Sequence, residues 1–300
     1  MIPTSVTLFR KSVPPLVTAV ITTCARPQYV HTALASVFAE TYPNVEIVVV
    51  DDGGSFEVTD RRVTVLRCDM GGVGRARNAG LDAARGEYVI FLDDDDVALP
   101  HRIATLVDAA ERHRADLCFG MTRRVITGSS AELPDVPTHV LSHGAQSFGD
   151  ILSCNPHVNA VLARTSTLRA AGGFDAGAAH FDDWSAWLRL ADRGATICSV
   201  DEVVAEWRIH NAGLSSQVIH LRAMKERVLA LFDRLSGELT ADGTRELAIV
   251  RRIVARNEIN TYDDYANVMQ AAYEKGRPFG RPSIELIEPV LTSSRSSSRS

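Results

Sequence analysis

Asp93, Asp94, Asp95 and Asp96 stand side by side directly after the apolar run EYVIFL. Neighbouring carboxylates repel, by roughly 4 kcal/mol for a close pair at an effective dielectric of 20, so a cation is expected among them. A hard divalent ion such as Mg²⁺ or Mn²⁺ fits, because it takes one or two carboxylates and completes its shell with substrate phosphates. A diphosphate leaving group needs that arrangement. An acidic run in general is more often a solvated turn capping the next helix, here the one after Pro100, but its place at a strand end argues for a site.

Four other stretches carry chemistry. VEIVVV ends in Asp51-Asp52-Gly53-Gly54, an ordinary turn by composition, yet a carboxylate there can accept a nucleobase N–H. GGVGRARNAG opens a helix whose N–H groups, with Arg75 or Arg77, can contact phosphate. It is a poor dinucleotide fingerprint, since its glycines follow the third strand and the first ends in TTCARP. In Phe181-Asp182-Asp183-Trp184 two acids start a helix, where the dipole favours their ionised form; one can cap and the other remains for chemistry. In EWRIHNAGLSS, Arg208 and His210 lie two apart and share one face of an extended segment, as ligands closing over a diphosphate and a metal would.

Positioning these groups falls to an alternation of short β-rich runs and helical patterns. Strands are expected at LVTAVI, VEIVVV, VTVLR and EYVIFL, with helices after the first and third, which implies a mainly parallel sheet. VVV and EYVIFL are continuously apolar, as when helices cover both faces, and their carboxyl ends bring both acidic clusters to one crevice. Pro27 suits a first helical position, and Val30, Ala33, Leu34, Val37 and Phe38 recur at helical spacing. Ile103, Leu106, Val107 and Ala110 mark a further helix, followed by two strand-like runs, DLCFG and TRRVIT. Residues 128–157 read as loops with a short helix, then VNAVLAR, a helix over 183–192 and a strand pair near 195–209. Helical spacing returns at Leu221, Met224, Val228, Leu231 and Leu235, and at Tyr265, Val268, Met269, Ala272 and Tyr273.

Composition excludes several classes. The net charge of −5 over 300 residues, with no basic stripe, disfavours nucleic acid. No apolar run reaches a membrane span, and a cytoplasmic protein is expected, peripheral to the membrane if its acceptor is lipid-linked. Five scattered cysteines, none in a C-x-x-C pair, indicate neither a disulfide framework nor a zinc site. TSSRSSSRS at the C-terminus is low-complexity and is expected to be disordered.

In order, VTAVITTCARP, VEIVVVDDGG, GGVGRARNAGLDAARGEYVIFLDDDD, GGFD, FDDWSAWLRLADRG and EWRIHNAGLSS resemble the motifs of family 2 inverting glycosyltransferases of the GT-A fold, over roughly residues 15–217. The resemblance implies an α/β fold, a Rossmann-like mixed sheet flanked by helices, with a helical C-terminal extension. It implies a GT-A domain over 1–217 (donor half about 15–120, acceptor half about 121–217), the extension over 218–285 and a tail over 286–300. It also implies sugar transfer from a nucleotide-diphosphate donor, a UDP-sugar above all, to an acceptor hydroxyl, with Mn²⁺ or Mg²⁺ as cofactor. By that resemblance the donor is held by Thr22, Thr23, Arg26, Asp52, Gly71, Arg77, Asp93, Asp94 and Arg208. The metal falls to Asp95 with Asp93 and His210, and the catalytic base to Asp183. Phe148, His157, His180, Asp182, Trp184 and Trp207 are candidates for the acceptor pocket. Ala25 stands where many relatives carry an aromatic that stacks on the base, and the acidic cluster has an additional Asp94.

A sugar nucleotidyltransferase would share the acidic metal site but carry a glycine-rich basic loop directly after the first strand, which TTCARP is not. A non-catalytic nucleotide-sugar binder would keep Thr23, Asp52 and the acidic cluster without needing Asp183. A nicotinamide dehydrogenase is opposed by the misplaced glycines.

Overall fold

The computed structural model describes residues 13–54, 56–69, 71–126, 144–178, 180–210, 224–260, 264–265, 267–269 and 272. The expectations at Leu221, Tyr273, residues 128–143 and the C-terminal tail lie outside these. Four strands rich in β-branched residues, β1 (Val17–Thr23), β2 (Val45–Asp52), β3 (Val63–Cys68) and β4 (Tyr88–Asp93), pair in parallel in the order β3-β2-β1-β4. Alternate residues feed two cores. Val20, Val48, Val50, Val89 and Phe91 face the side of α2 (Val73–Ala83), while Ile21, Val49, Ile90 and Leu92 face α1 (Pro27–Phe38) and α3 (Arg102–His113). The apolar runs have no polar face because neither face meets water.

The second half of the sheet is mixed. β8 (Val161–Arg164) runs antiparallel to both β4 and β6 (Leu117–Ile126), and β6 is parallel to β9 (Ile197–Ile209). The short β5 (Val97–Ala98) and β7 (Gly144–Gln146) each pair antiparallel with β9. Two expectations are corrected here: DLCFG and TRRVIT form one strand, and the supposed pair at 195–209 is also one. The polar stretch around Asp201 and Glu202 marks a register slip, not a turn. Gly120 permits it, since a Cβ there would lie 2.8 Å from the Glu202 carbonyl oxygen.

Three short helical pieces flank β8: α4 (Phe148–Ser153) and a 3₁₀ turn (Val158–Ala160) before it and α5 (Thr165–Ala170) after it. Against α4 and α5 packs α6 (Asp182–Asp192). Behind α6 pack α7 (Met224–Leu235) and α8 (Ala241–Arg256), the latter capped by the Thr240 hydroxyl, which accepts from Gly243 N. Val228, Leu231 and Phe232 of α7 share one core with Trp184 and Trp187 of α6. Trp184 meets Phe232 and Tyr265 edge-on, with centroids 6.1 and 5.3 Å apart. Among the described residues no helix is long and apolar enough to cross a membrane.

Helix α2 sits close on the sheet because Gly80 faces it: a Cβ there would come within 2.3 Å of Val20 Cγ1. Gly80→Ala is therefore expected to lose about 1–3 kcal/mol to overpacking despite alanine's higher helix propensity. Val20→Ala in the same chain should return part of that loss. A urea double-mutant cycle without coupling between the two positions would refute the contact.

Candidate active site

The parallel register puts the ends of β1, β2 and β4 side by side, with Thr23 opposite Asp51 and Thr22 opposite Asp93. Asp51 turns inward: its carboxylate accepts from Phe56 N at 2.7 Å, and the residue is buried. Asp52 faces the start of α2, its two oxygens 3.4 and 3.3 Å from the N–H groups of Gly71 and Gly72. Gly71 has φ +66°, a conformation that glycine adopts without strain.

After β4 the chain makes a tight turn, Asp96 N donating to Asp93 O at 3.1 Å, and each acid meets a different fate. Asp93 Oδ1 accepts from Arg77 Nη2 at 2.7 Å and from the Thr22 hydroxyl at 3.4 Å. Burial pushes its pKa up, but the Arg77 guanidinium outweighs that and holds it below the ordinary value. Asp94 is buried and accepts from the Thr23 hydroxyl at 2.6 Å and from Arg26 Nη2 at 2.5 Å. Burial raises its pKa to about 7 against the pull of both partners. Asp95 Oδ2 accepts from Arg26 Nη1 at 2.9 Å and lies 3.1 Å from His210 Nε2. Tyr29 stacks on that imidazole at 4.9 Å, and Arg26 lies over Tyr29.

Last in the run, Asp96 would lie outermost by position alone, and it is instead 2% exposed. Its oxygens accept from Arg208 N at 2.6 Å and from Asn159 Nδ2, and burial raises its pKa well above the ordinary value. Arg208 thus meets the acidic turn through its backbone. Asn159, in the 3₁₀ turn, also accepts from Asp93 N at 3.0 Å, so one buried amide holds both ends of the turn.

Across the crevice, α6 presents Asp182 and Asp183. Arg77, expected at a diphosphate, is buried, and its Nη1 donates to both Asp182 oxygens at 3.0 and 2.8 Å while Nη2 serves Asp93. One guanidinium therefore ties α6 to the end of β4. Neither acid is the residue before the helix: that is Phe181, at φ +62°. The aspartates are free of the capping role because Phe181 takes the left-handed turn. Burial raises the Asp182 pKa to about 6 against the pull of Arg77, and raises that of Asp183 as well. Asp183 Oδ1 accepts from Trp184 N at 2.7 Å and Asn155 Nδ2 at 3.3 Å, and among the described residues no hydrogen bond reaches its Oδ2.

The acceptor-pocket candidates divide. Trp184 is corrected: it is fully buried, its indole N–H donates to Ile151 O at 2.7 Å, and it belongs to the core. Phe148 packs at the edge of that core, and His180 is half-buried beside Phe181. His157 and Trp207 face each other near the acidic turn with ring centroids 4.9 Å apart. Burial lowers the His157 pKa to about 4, so the ring is neutral near pH 7. Asn159, Asn155 and Asn78 escaped the sequence reading. Asn78 pairs with Phe174 in both directions, at 2.9 and 2.8 Å, and fastens GGFD to α2, a link that only the "RNAG" and "GGFD" stretches taken together hinted at.

Residues 18–166 match the family described as glycosyl transferase family 2. The chain belongs to that family. Among curated relatives, the succinoglycan biosynthesis protein ExoW of Rhizobium meliloti is 37% identical over 117 residues, 35% of either chain. The chain spans little more than a third of the length of such relatives. The fold is of GT-A type. A structure of S. aureus TarS, residues 1–349, in complex with UDP-GlcNAc superimposes with a TM-score of 0.58 at 16% identity, covering 87% of this chain and 92% of that one. The mannosyltransferase PcManGT of Pyrobaculum calidifontis, in complex with GDP-Man and Mn²⁺, gives 0.60 at 16%, covering 92% and 79%. The family match ends before Asp182 and Asp183, and Arg77 ties the first of them, and Asn155 the second, to the matched region.

Removing Arg77 leaves Asp93 and Asp182 facing each other without their cation. Arg77→Ala is expected to destabilise the fold by about 3–5 kcal/mol at neutral pH, and adding Asp182→Asn should recover part of it by removing one stranded charge. Urea unfolding of both variants checks this; an Arg77→Ala protein as stable as the wild type would show that the triad holds nothing together.

Proposed function

We propose that this family 2 member transfers a sugar from a nucleotide-diphosphate donor to an acceptor hydroxyl, with inversion at the anomeric carbon. The observation that carries the reading is the pairing across one crevice of an acidic turn beside His210 with a carboxylate, Asp183, whose Oδ2 takes no hydrogen bond among the described residues. Asp52 is proposed to read the base by accepting a ring N–H, which uracil, thymine and guanine have and adenine lacks; a uridine diphosphate sugar is the favoured donor. Thr22, Thr23, Gly71 and Arg26 line the same strand ends and complete the donor side.

The donor set supports a divalent cation. Among the described residues no three His, Cys, Asp or Glu side chains converge on one point, as a closed cage would require. A site finished by substrate phosphates needs fewer, and Asp95 with His210, 3.1 Å apart, offers an oxygen and a nitrogen, with Asp93 beside them. Bound there, Mn²⁺ or Mg²⁺ would offset charge on the departing diphosphate. Arg26, which lies on Asp94 and Asp95 here, is placed to turn toward the phosphates.

Asp183 is proposed as the general base. The acceptor hydroxyl is a poor nucleophile until its proton is being removed, and Asp183 Oδ2 is the atom available to take it. Asp182 is engaged by Arg77 on both oxygens and holds α6 in place. Asp183→Asn is expected to lower turnover by about 10²–10⁴ while donor affinity and melting temperature stay near wild type. The base must be ionised, and burial raises its pKa, so the acid limb of the rate profile should be displaced toward higher pH from that of an ordinary aspartate. A folded, donor-binding Asp183→Asn enzyme with normal single-turnover transfer would eliminate this assignment; loss confined to Asp182→Asn would move the base by one residue.

Mn²⁺ with uridine diphosphate should stabilise the protein, by about 2.7 kcal/mol when the ligand stands at 100 times its dissociation constant. Adenosine diphosphate should do less. Asp95→Ala should abolish the contribution of the metal, and a melting temperature indifferent to Mn²⁺ and nucleotide together would count against the donor site.

A further inference from the structure

We propose that Asp96 and Asn159 are positioning residues, a buried post that sets the end of β9 against the acidic turn and thereby places His210 on Asp95. The inference rests on the reading above in which Asp95 and His210 hold the metal. β6 holds one edge of β9 as far as Ile209, but on the edge that faces the acidic turn β5 has only two residues, paired as Val97 with Glu206 and Ala98 with Ala205. Just beyond that pairing the ladder is continued by a side chain: Asp96 Oδ1 takes the N–H of Arg208 at 2.6 Å. His210 follows two residues later, its Nε2 on Asp95 Oδ2.

Asp96 is in turn fixed from below. Its other oxygen accepts from Asn159 Nδ2, and Asn159 Oδ1 accepts from Asp93 N, the first residue of the same turn. Asn159 is fully buried, and its amide orientation is dictated by these two contacts. The turn, the 3₁₀ segment and β9 therefore meet at one carboxylate–amide pair. Asp96 accepts from protein on both oxygens, so it holds the ligands around it instead of serving as one. Groups one layer out from a metal site orient its ligands, and their loss typically costs 10–100-fold in affinity.

Chemical complementarity gives a test that separates positioning from bulk stability. Asp96→Asn, keeping its oxygen on Arg208 N, turns an NH₂ against the NH₂ of Asn159. Flipping the Asn159 amide only moves the conflict to Asp93 N. Asn159→Asp sets two carboxylates face to face. The double variant, Asp96→Asn with Asn159→Asp, restores a donor opposite an acceptor at every contact and keeps the net charge. Mn²⁺ affinity at saturating uridine diphosphate, followed by electron paramagnetic resonance alongside thermal melts, should fall about 10–100-fold in each single variant and return to within a few fold of wild type in the double. Nucleotide affinity without Mn²⁺ should barely change. If a single variant does not fold, the double still decides, because its hydrogen bonds are complementary. Single variants that bind Mn²⁺ normally, or a double variant no better than the singles, overturn the proposal. A wild-type protein that takes up no Mn²⁺ with the nucleotide overturns the metal reading itself, a different pattern.

Discussion

The guanidinium of Arg77 is the interaction on which the arrangement turns. It is buried, it is charged, and the carboxylates it serves stand 89 positions apart in the chain, Asp93 at the end of β4 and Asp182 at the start of α6. A buried cation with two anions is not an efficient way to stabilise a fold, since desolvation consumes most of the attraction. It is an efficient way to fix a distance. Arg77 reaches both sides from α2, which lies close enough because Gly74 lets it: a Cβ there would stand 2.6 Å from the Asp175 carbonyl oxygen.

From that tie the electrostatics of the crevice follow. Asp93 is pulled below its ordinary pKa by the same guanidinium that fails to bring Asp182 down against burial. Asp94 and Asp96, with burial dominant, are pushed up, so side chains identical in sequence are driven in opposite directions within one turn. Repulsion within the run is relieved by dividing the acids among Arg77, Thr23, Arg26, His210 and Asn159, each from a different element.

The parallel half of the fold was legible because two of its strands, β2 and β4, are buried on both faces and end in acids; those two signals need no long-range information. The contact of Asp52 with the glycines before α2 is one that the sequence does not announce, and the grouping of His210 with Asp95 comes from the resemblance and not from strand register. What the sequence hid depends on which loop returns to which strand. Asn159 sits in an unremarkable stretch, and nothing local distinguishes it from a surface asparagine. Trp184 looked like a pocket aromatic because it adjoins Asp183, but helical periodicity turns it to the opposite side, toward α7. Asp96 looked outermost because it is last in the run, and the tight turn reverses that order. The strand breaks expected at Gly120 and near Glu202 were one irregularity seen from two sides.

The packing of α6 between the crevice and the C-terminal helices also bears on how such a protein can change over generations. Trp184, next to the Asp183 carboxylate in sequence, is wedged against Phe232 and Tyr265, while Tyr265 donates its hydroxyl to Leu152 in α4. A substitution in that remote apolar seam would tilt α6 about the Arg77 pivot, shifting the carboxylate relative to the strand ends without altering any residue that borders the crevice. If Asp183 serves the acceptor as proposed, acceptor preference is open to drift through the back of the molecule while the strand ends stay fixed.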